Sequence, residues 1–198
     1  MCKTRRVATV LPAPVERHEP GVGHLHVWTL PPTAELLEAL LRDLFERHWR
    51  GLTFGPVVQG AAWELHADAP PRRIGMMDGY LTVDLGHSHF HLCIGEHKGS
   101  AHAPVSAELA RHRRTACAEL YRRVNADGAP DSWGLRLVNG AGEQQITIFF
   151  PNPFLDDDAR YLPTPDWTRL AAWDHVRATY LGFPPDPFDR TGRRFIHA

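Results

Sequence analysis

The stretch at residues 106–124, "SAELARHRRTACAELYRRV", sets the order of elements for everything around it. Ser106 is a helix-capping residue type, and Leu109, Ala116, Leu120, Tyr121 and Val124 recur at the spacing of one buried helix face. The pattern predicts a helix from the Ser106 cap to about residue 124. Its run "RHRR" at 111–114 is then a solvated basic face, or else a patch that grips a carboxylate or phosphate.

Upstream of that helix, "GHLHVWTL" (23–30) alternates as a strand does. "PPT" follows and opens a helix over about 34–49, with Thr33 as N-cap and Leu36, Leu37, Leu40, Leu41, Leu44 and Phe45 facing inward. "AAWELHA" (61–67) alternates again. "RIGMMDGYLTVDLGHSHFHLCIG" (73–95) is a hairpin about Asp78-Gly79, whose second arm runs from Tyr80 to about Ile94 with Gly86 as a bulge. Downstream, "WGLRLVNGAGEQQITIFF" (133–150) is a hairpin about Asn139-Gly140. A helix at about 165–181 and a proline-rich tail complete the chain.

Elements thus come as β-α-β-β-β-α-β-β with a C-terminal helix and arm. Hairpins dominate, so the expected class is α+β, with a mostly antiparallel sheet and helices packed on one face. A ferredoxin-like sheet follows, with strand 23–30 beside strand 80–94. The expected division is an N-terminal arm (1–22), an α+β metal-binding domain (23–155), and a C-terminal helix and tail (156–198) packed on the domain or a partner subunit.

The chain has 198 residues, 43% of them apolar and 23% charged, with net charge −1. That balance argues against a nucleic-acid or membrane partner. Cys2, Cys93 and Cys117 suit free thiols in a reducing cytoplasm. The N-terminal apolar run is short and broken by Pro12 and Pro14, unlike a signal peptide. A cytoplasmic protein acting on a small molecule is expected, with a homodimer possible through the C-terminal helix and arm.

Thirteen histidines are unusual in such a chain, and five stand at every second position of two strands. His87, His89 and His91 fall in "GHSHFHLCIG" (86–95), and His24 and His26 in "GHLHVW" (23–28). Side chains two apart on a strand point the same way with Cα atoms about 6.6 Å apart, so an H-x-H pair can share one ion, whereas three in a row cannot easily do so. The expected site joins the two strands, with His24, His26, His87, His89 and His91 as candidate ligands and His89 with His91 as the primary pair. Imidazoles suit zinc first, with iron or copper as the other ions expected. Glu64 and Glu96 are possible carboxylate partners. In the loop 95–99, "GEHKG", Glu96 and His97 are the candidate catalytic residues, His97 as general acid or base.

Several motifs resemble known families. "HSHFHLCI" resembles the histidine triad of nucleotide hydrolases and transferases, which implies a histidine nucleophile at His89 or His91 and no metal. Ser88 stands where that motif is apolar. H-x-H on a strand is similar to the zinc ligation of carbonic anhydrases and the iron ligation of cupins. "HAD" at 66–68 is similar to the H-x-D of iron oxygenases. "GHLHVWTLPPTAELLEALLRDLF" (23–45) resembles the opening strand and helix of ferredoxin-like DOPA dioxygenases, which are non-haem iron enzymes.

The leading expectation is a metalloenzyme with a mononuclear histidine-ligated site for zinc, iron or copper, either a hydrolase or lyase or a non-haem oxygenase. A triad-like nucleotide hydrolase or transferase without metal is the second. A non-enzymatic metal storage or sensing protein is the third.

Overall fold

The structure is a computed structural model, in which residues 13–58 and 60–195 are described. β1 (Val15–Glu19) and β2 (Gly23–Leu30) form a hairpin. α1 (Ala34–Arg47) follows, with the Thr33 hydroxyl accepting the Leu36 N–H at 3.3 Å as its cap. Then come the short strands β3 (Thr53–Gly55), β4 (Val57–Val58), β5 (Ala61–Ala62) and β6 (Leu65–His66). β7 (Arg73–Met77), β8 (Tyr80–Asp84) and β9 (His89–Cys93) follow, and then the two-residue strands β10 (Gly99–Ser100) and β11 (Ala103–Pro104). α2 (Ala107–Arg113), β12 (Thr115–Val124), β13 (Pro130–Asn139) and β14 (Gln144–Phe149) lead to the C-terminal helix. That helix is α3 (Ala171–Val176), entered through a 3-10 turn (Trp167–Leu170) and left through a π-helical turn (Arg177–Leu181).

The expected helix at 106–124 is half helix and half strand. Ser106 does cap it, accepting the Leu109 N–H at 3.2 Å, but α2 stops at Arg113 and Arg114 is extended. From Thr115 the chain is the interior strand β12, with Ala118 and Leu120 on one face and Glu119 and Tyr121 on the other. The apolar residues satisfy a helix period and a strand period at once. Tertiary pairing decides between them, because β12 bonds to β2 on one side and to β13 on the other.

This reassignment removes the ferredoxin-like arrangement and leaves a mixed α+β fold with a mostly antiparallel sheet. The main sheet has seven strands in the order β1-β2-β12-β13-β14-β3-β6. β2 therefore pairs with β1 and β12 and not with the histidine strand. β7, β8 and β9 form a separate three-stranded sheet. Its Asp78-Gly79 turn forms as the dipeptide predicts, with φ of 47° and 80°. The long arm 80–94 does not form. Gly86, at φ 98°, turns the chain so that β9 folds back antiparallel on β8.

The core lies between these layers. Trp28, Leu120, Leu135 and Ile148 from the main sheet meet Leu37, Leu40, Leu41 and Leu44 of α1, with Leu81, Val83 and Leu92 from the small sheet. Trp173 and Val176 of α3 join the same cluster, so the apolar side of the C-terminal helix is buried against its own chain. The arm is pinned there too: Asp189, fully buried, accepts from Trp133 Nε1 and Trp173 Nε1, both at 2.8 Å. Residues 1–12 of the expected N-terminal arm, with Cys2, lie outside the described residues, while Val15–Glu19 belongs to the sheet edge. No helix among the described residues is long and apolar enough to cross a membrane.

Candidate functional site

Four of the five candidate ligand histidines are divided between two sheets, and the fifth lies on neither. His24 and His26 lie on β2, His89 and His91 on β9, and His87 in the exposed turn between β8 and β9. His24 packs its ring against His18 at 4.8 Å. His26 accepts from Arg122 Nε at 3.1 Å and stacks on Phe188 at 5.6 Å. Burial first, and then the Arg122 charge, lower its pKa. His89 and His91 are exposed, their rings 5.0 Å apart, with His91 Nδ1 2.7 Å from the Thr82 hydroxyl. Phe90 between them points inward against Phe45 and Phe54. Among the described residues, no group of three metal-ligating side chains includes any of these five.

Glu96 and His97 lie beyond β9 on a loop that Asp78 organises. The Asp78 carboxylate accepts the backbone N–H groups of Lys98 (2.8 Å) and Gly99 (3.0 Å) and meets His97 Nδ1 at 2.8 Å. Those bonds, led by the Lys98 N–H, lower the Asp78 pKa. Arg113 approaches His97 Nε2 at 3.0 Å, so both ring nitrogens are engaged. Glu96 is exposed and pairs with Lys98 at 3.2 Å. The two residues line a small pocket of about 400 Å3 with Arg111 and Arg114.

The large cleft lies elsewhere, at the β3–β6 edge of the main sheet. Its volume is about 990 Å3, at the upper end of the range, roughly 300–1,000 Å3, typical of small-molecule sites. Trp49, Phe149, Tyr161 and Phe195 supply aromatic surface, and Arg50, Arg123 and Arg169 supply cations. His66 reaches it from β6, where pairing of Thr53 with His66 sets the Thr53 hydroxyl 3.3 Å from Nδ1. His66 Nε2 has no protein partner among the described residues. Arg123 is held by both oxygens of buried Asp131, and Arg169 by Asp157 at 2.8 Å. Arg50 has no carboxylate partner among the described residues and stacks over Trp49 at 5.3 Å. The lining also includes acidic residues, with Asp156 and Asp158 tied into a turn by backbone and Arg160 bonds.

Residues 14–182 match the family described as "Family of unknown function (DUF7676)". The chain belongs to that family. No curated protein matches this DUF7676 chain. Two solved structures share its fold. A crystal structure of ChuX aligns with TM-score 0.52 and 14% identity, over 79% of this chain and 78% of ChuX. A second, described as the structure of the heme binding protein ChuX, gives TM-score 0.50 and 14% identity, over 77% and 76% of the two chains.

These findings overturn the expected mononuclear metalloenzyme, together with its triad-like and storage or sensing alternatives. The fold is that of ChuX, one of whose structures is described as a heme binding protein, and four of the five histidines that carried the expectation sit on two separate sheets. Zinc goes with them. The cleft residues were not singled out by spacing, because they come from many separate segments of the chain. The one local signal was "HAD": His66 and Asp68 both line the cleft, with Glu64 beside them.

The cleft's donor set fits an iron porphyrin. His66 would hold the iron through an imidazole nitrogen that has no partner among the described residues, the aromatic walls would suit a flat apolar ring, and Arg50 would meet a carboxylate.

Proposed function

We propose that this protein binds heme in the cleft at the β3–β6 edge, with His66 as the protein ligand to iron. The observation that carries the reading is the exposed His66 imidazole, its Nε2 unpartnered, in an aromatic-walled cleft of about 990 Å3. The ChuX-like fold supports it. When bound, heme supplies an iron centre whose properties depend on its axial ligand and surroundings. The chain's own contributions are separable. Thr53 engages Nδ1 of the His66 ring, which leaves Nε2 as the nitrogen to meet the iron. Trp49, Phe149 and Phe195 exclude water from a flat ligand, and Arg50 draws one of its carboxylates.

Titration of the purified protein with hemin tests the reading. A Soret absorbance that saturates at one equivalent per chain is expected. A linear, unsaturating rise of the kind hemin gives with any apolar surface would refute it.

A further inference from the structure

A second cluster lies at the junction of α1 with the C-terminal helix, and it shares no residue with the cleft or with the histidine strands. Asp43 of α1, His48 at its C-cap and His175 of α3 each offer one ligand atom, all within 4.8 Å of one another. Asp43 is buried, and its Oδ1 makes no hydrogen bond among the described residues, facing only the exposed Arg47 guanidinium at 3.3 Å. Its Oδ2 takes His175 Nε2 at 2.5 Å and the Tyr180 hydroxyl at 3.2 Å.

An Asp43–His175 ion pair accounts for part of this arrangement but leaves His48 unexplained. The His48 ring is half-buried and stacked 4.7 Å from His175, with no hydrogen-bond partner among the described residues. Two imidazoles at that distance cannot both carry charge without repulsion. His48 thus brings a second imidazole to the junction whose ring nitrogens make no hydrogen bond among the described residues. An ion would use that ring, the orphaned carboxylate oxygen and the second imidazole together.

We propose that this junction binds one divalent transition-metal ion through Asp43, His48 and His175, clamping the C-terminal helix to the end of α1. Two imidazoles and one carboxylate favour ions such as cobalt, nickel or zinc over calcium or magnesium, which prefer all-oxygen sets. A tetrahedral ion about 2.1 Å from each donor holds its donors about 3.4 Å apart, so the three side chains need close by little more than an ångström. The role is structural: the ion fastens helix to helix and acts on no substrate. This proposal stands independently of heme binding.

Cobalt(II) titration of tag-free, hemin-free protein is the test, read by visible d–d absorbance and by thermal melting. The expected result is absorbance that saturates at one cobalt per chain, with a melting temperature raised by several degrees. His48→Gln should abolish both effects while melting near wild type without metal, because the Asp43–His175–Tyr180 bonds remain. His175→Gln should abolish them as well, and the double variant His89→Ala/His91→Ala should retain them. Absence of a saturating band in the wild type would overturn the proposal. So would a band unchanged in His48→Gln and His175→Gln, or one lost in the His89/His91 double variant.

Discussion

Arg122, in the middle of the sheet, donates to Asp189 near the end of the chain at 2.9 Å, across 67 residues of sequence. Asp189 is fully buried and also takes both indole N–H groups and Arg177 at 3.3 Å. Arg122 lies 4.4 Å from the Phe188 ring centre, Arg177 5.1 Å from that of Trp28. One carboxylate thus fixes β12, β13, α3 and the tail to one another.

Asp189→Ala should therefore lower the unfolding free energy by about 3–5 kcal/mol, since it removes the buried counter-charge of Arg122 and Arg177 and leaves them only the partly exposed Asp186. Urea denaturation measures this. Asp189→Asn, which keeps acceptor capacity, should lose less.

Acid should weaken the outer face of the sheet. Arg136 makes paired bonds to Glu19 at 2.8 Å each and bonds to Glu119 at 2.6 Å. The Arg136 hydrogen bond lowers the Glu19 pKa. Burial pushes Glu119 up, but bonds from Arg17 and Arg136 outweigh it and leave its pKa lowered. Carboxyls with depressed folded-state pKa values stabilise the fold above their unfolded value, near 4.5. That stabilisation is lost as pH falls through the folded-state values. The double variant Glu19→Gln/Glu119→Gln should be less stable at pH 7, and its stability should change less than wild type's below pH 4.5. Melting temperatures from pH 7 down to pH 3 decide it.

Gly140→Ala should destabilise the chain by about 1–3 kcal/mol, because an added methyl meets a packed backbone. Gly140 donates its N–H to the His112 carbonyl at 3.0 Å, and a Cβ there would stand 2.0 Å from the Arg111 carbonyl oxygen. Thermal unfolding measures the loss, and Gly142→Ala is the comparison for local space, since nothing lies within 4 Å of its Cβ position. Gly142 has φ 82°, so its own substitution carries backbone strain but no clash.

Much of the fold is legible from short-range chemistry. The Thr33 and Ser106 caps, the Asp78-Gly79 turn and the α1 stripe each depend on neighbours a few residues apart, and each forms as local rules predict. What local rules do not reach is the partner of a strand. The sequence 115–124 satisfies a helix period and is a strand because β2 and β13 flank it. Gly86 reads as a bulge and instead reverses the chain, which strips His87 from the strand and turns His89 and His91 to solvent. The cleft was hardest to see, since Trp49, His66, Phe149 and Phe195 have no periodic relation and meet only in the fold.

Removing Arg50, a cleft cation with no carboxylate partner among the described residues, should weaken an anionic ligand selectively. Arg50→Ala should raise the hemin dissociation constant about 3- to 10-fold, the scale of one partly exposed charge-assisted bond. The iron-ligand spectrum should stay unchanged. Equilibrium titration supplies the constant.

The central claim is that His66 ligates the iron, and the ferric Soret spectrum of His66→Ala loaded with hemin tests it most directly. The account predicts a Soret maximum displaced from that of the wild type and restored when free imidazole is added. A His66→Ala spectrum identical to wild type, indifferent to imidazole, would contradict it.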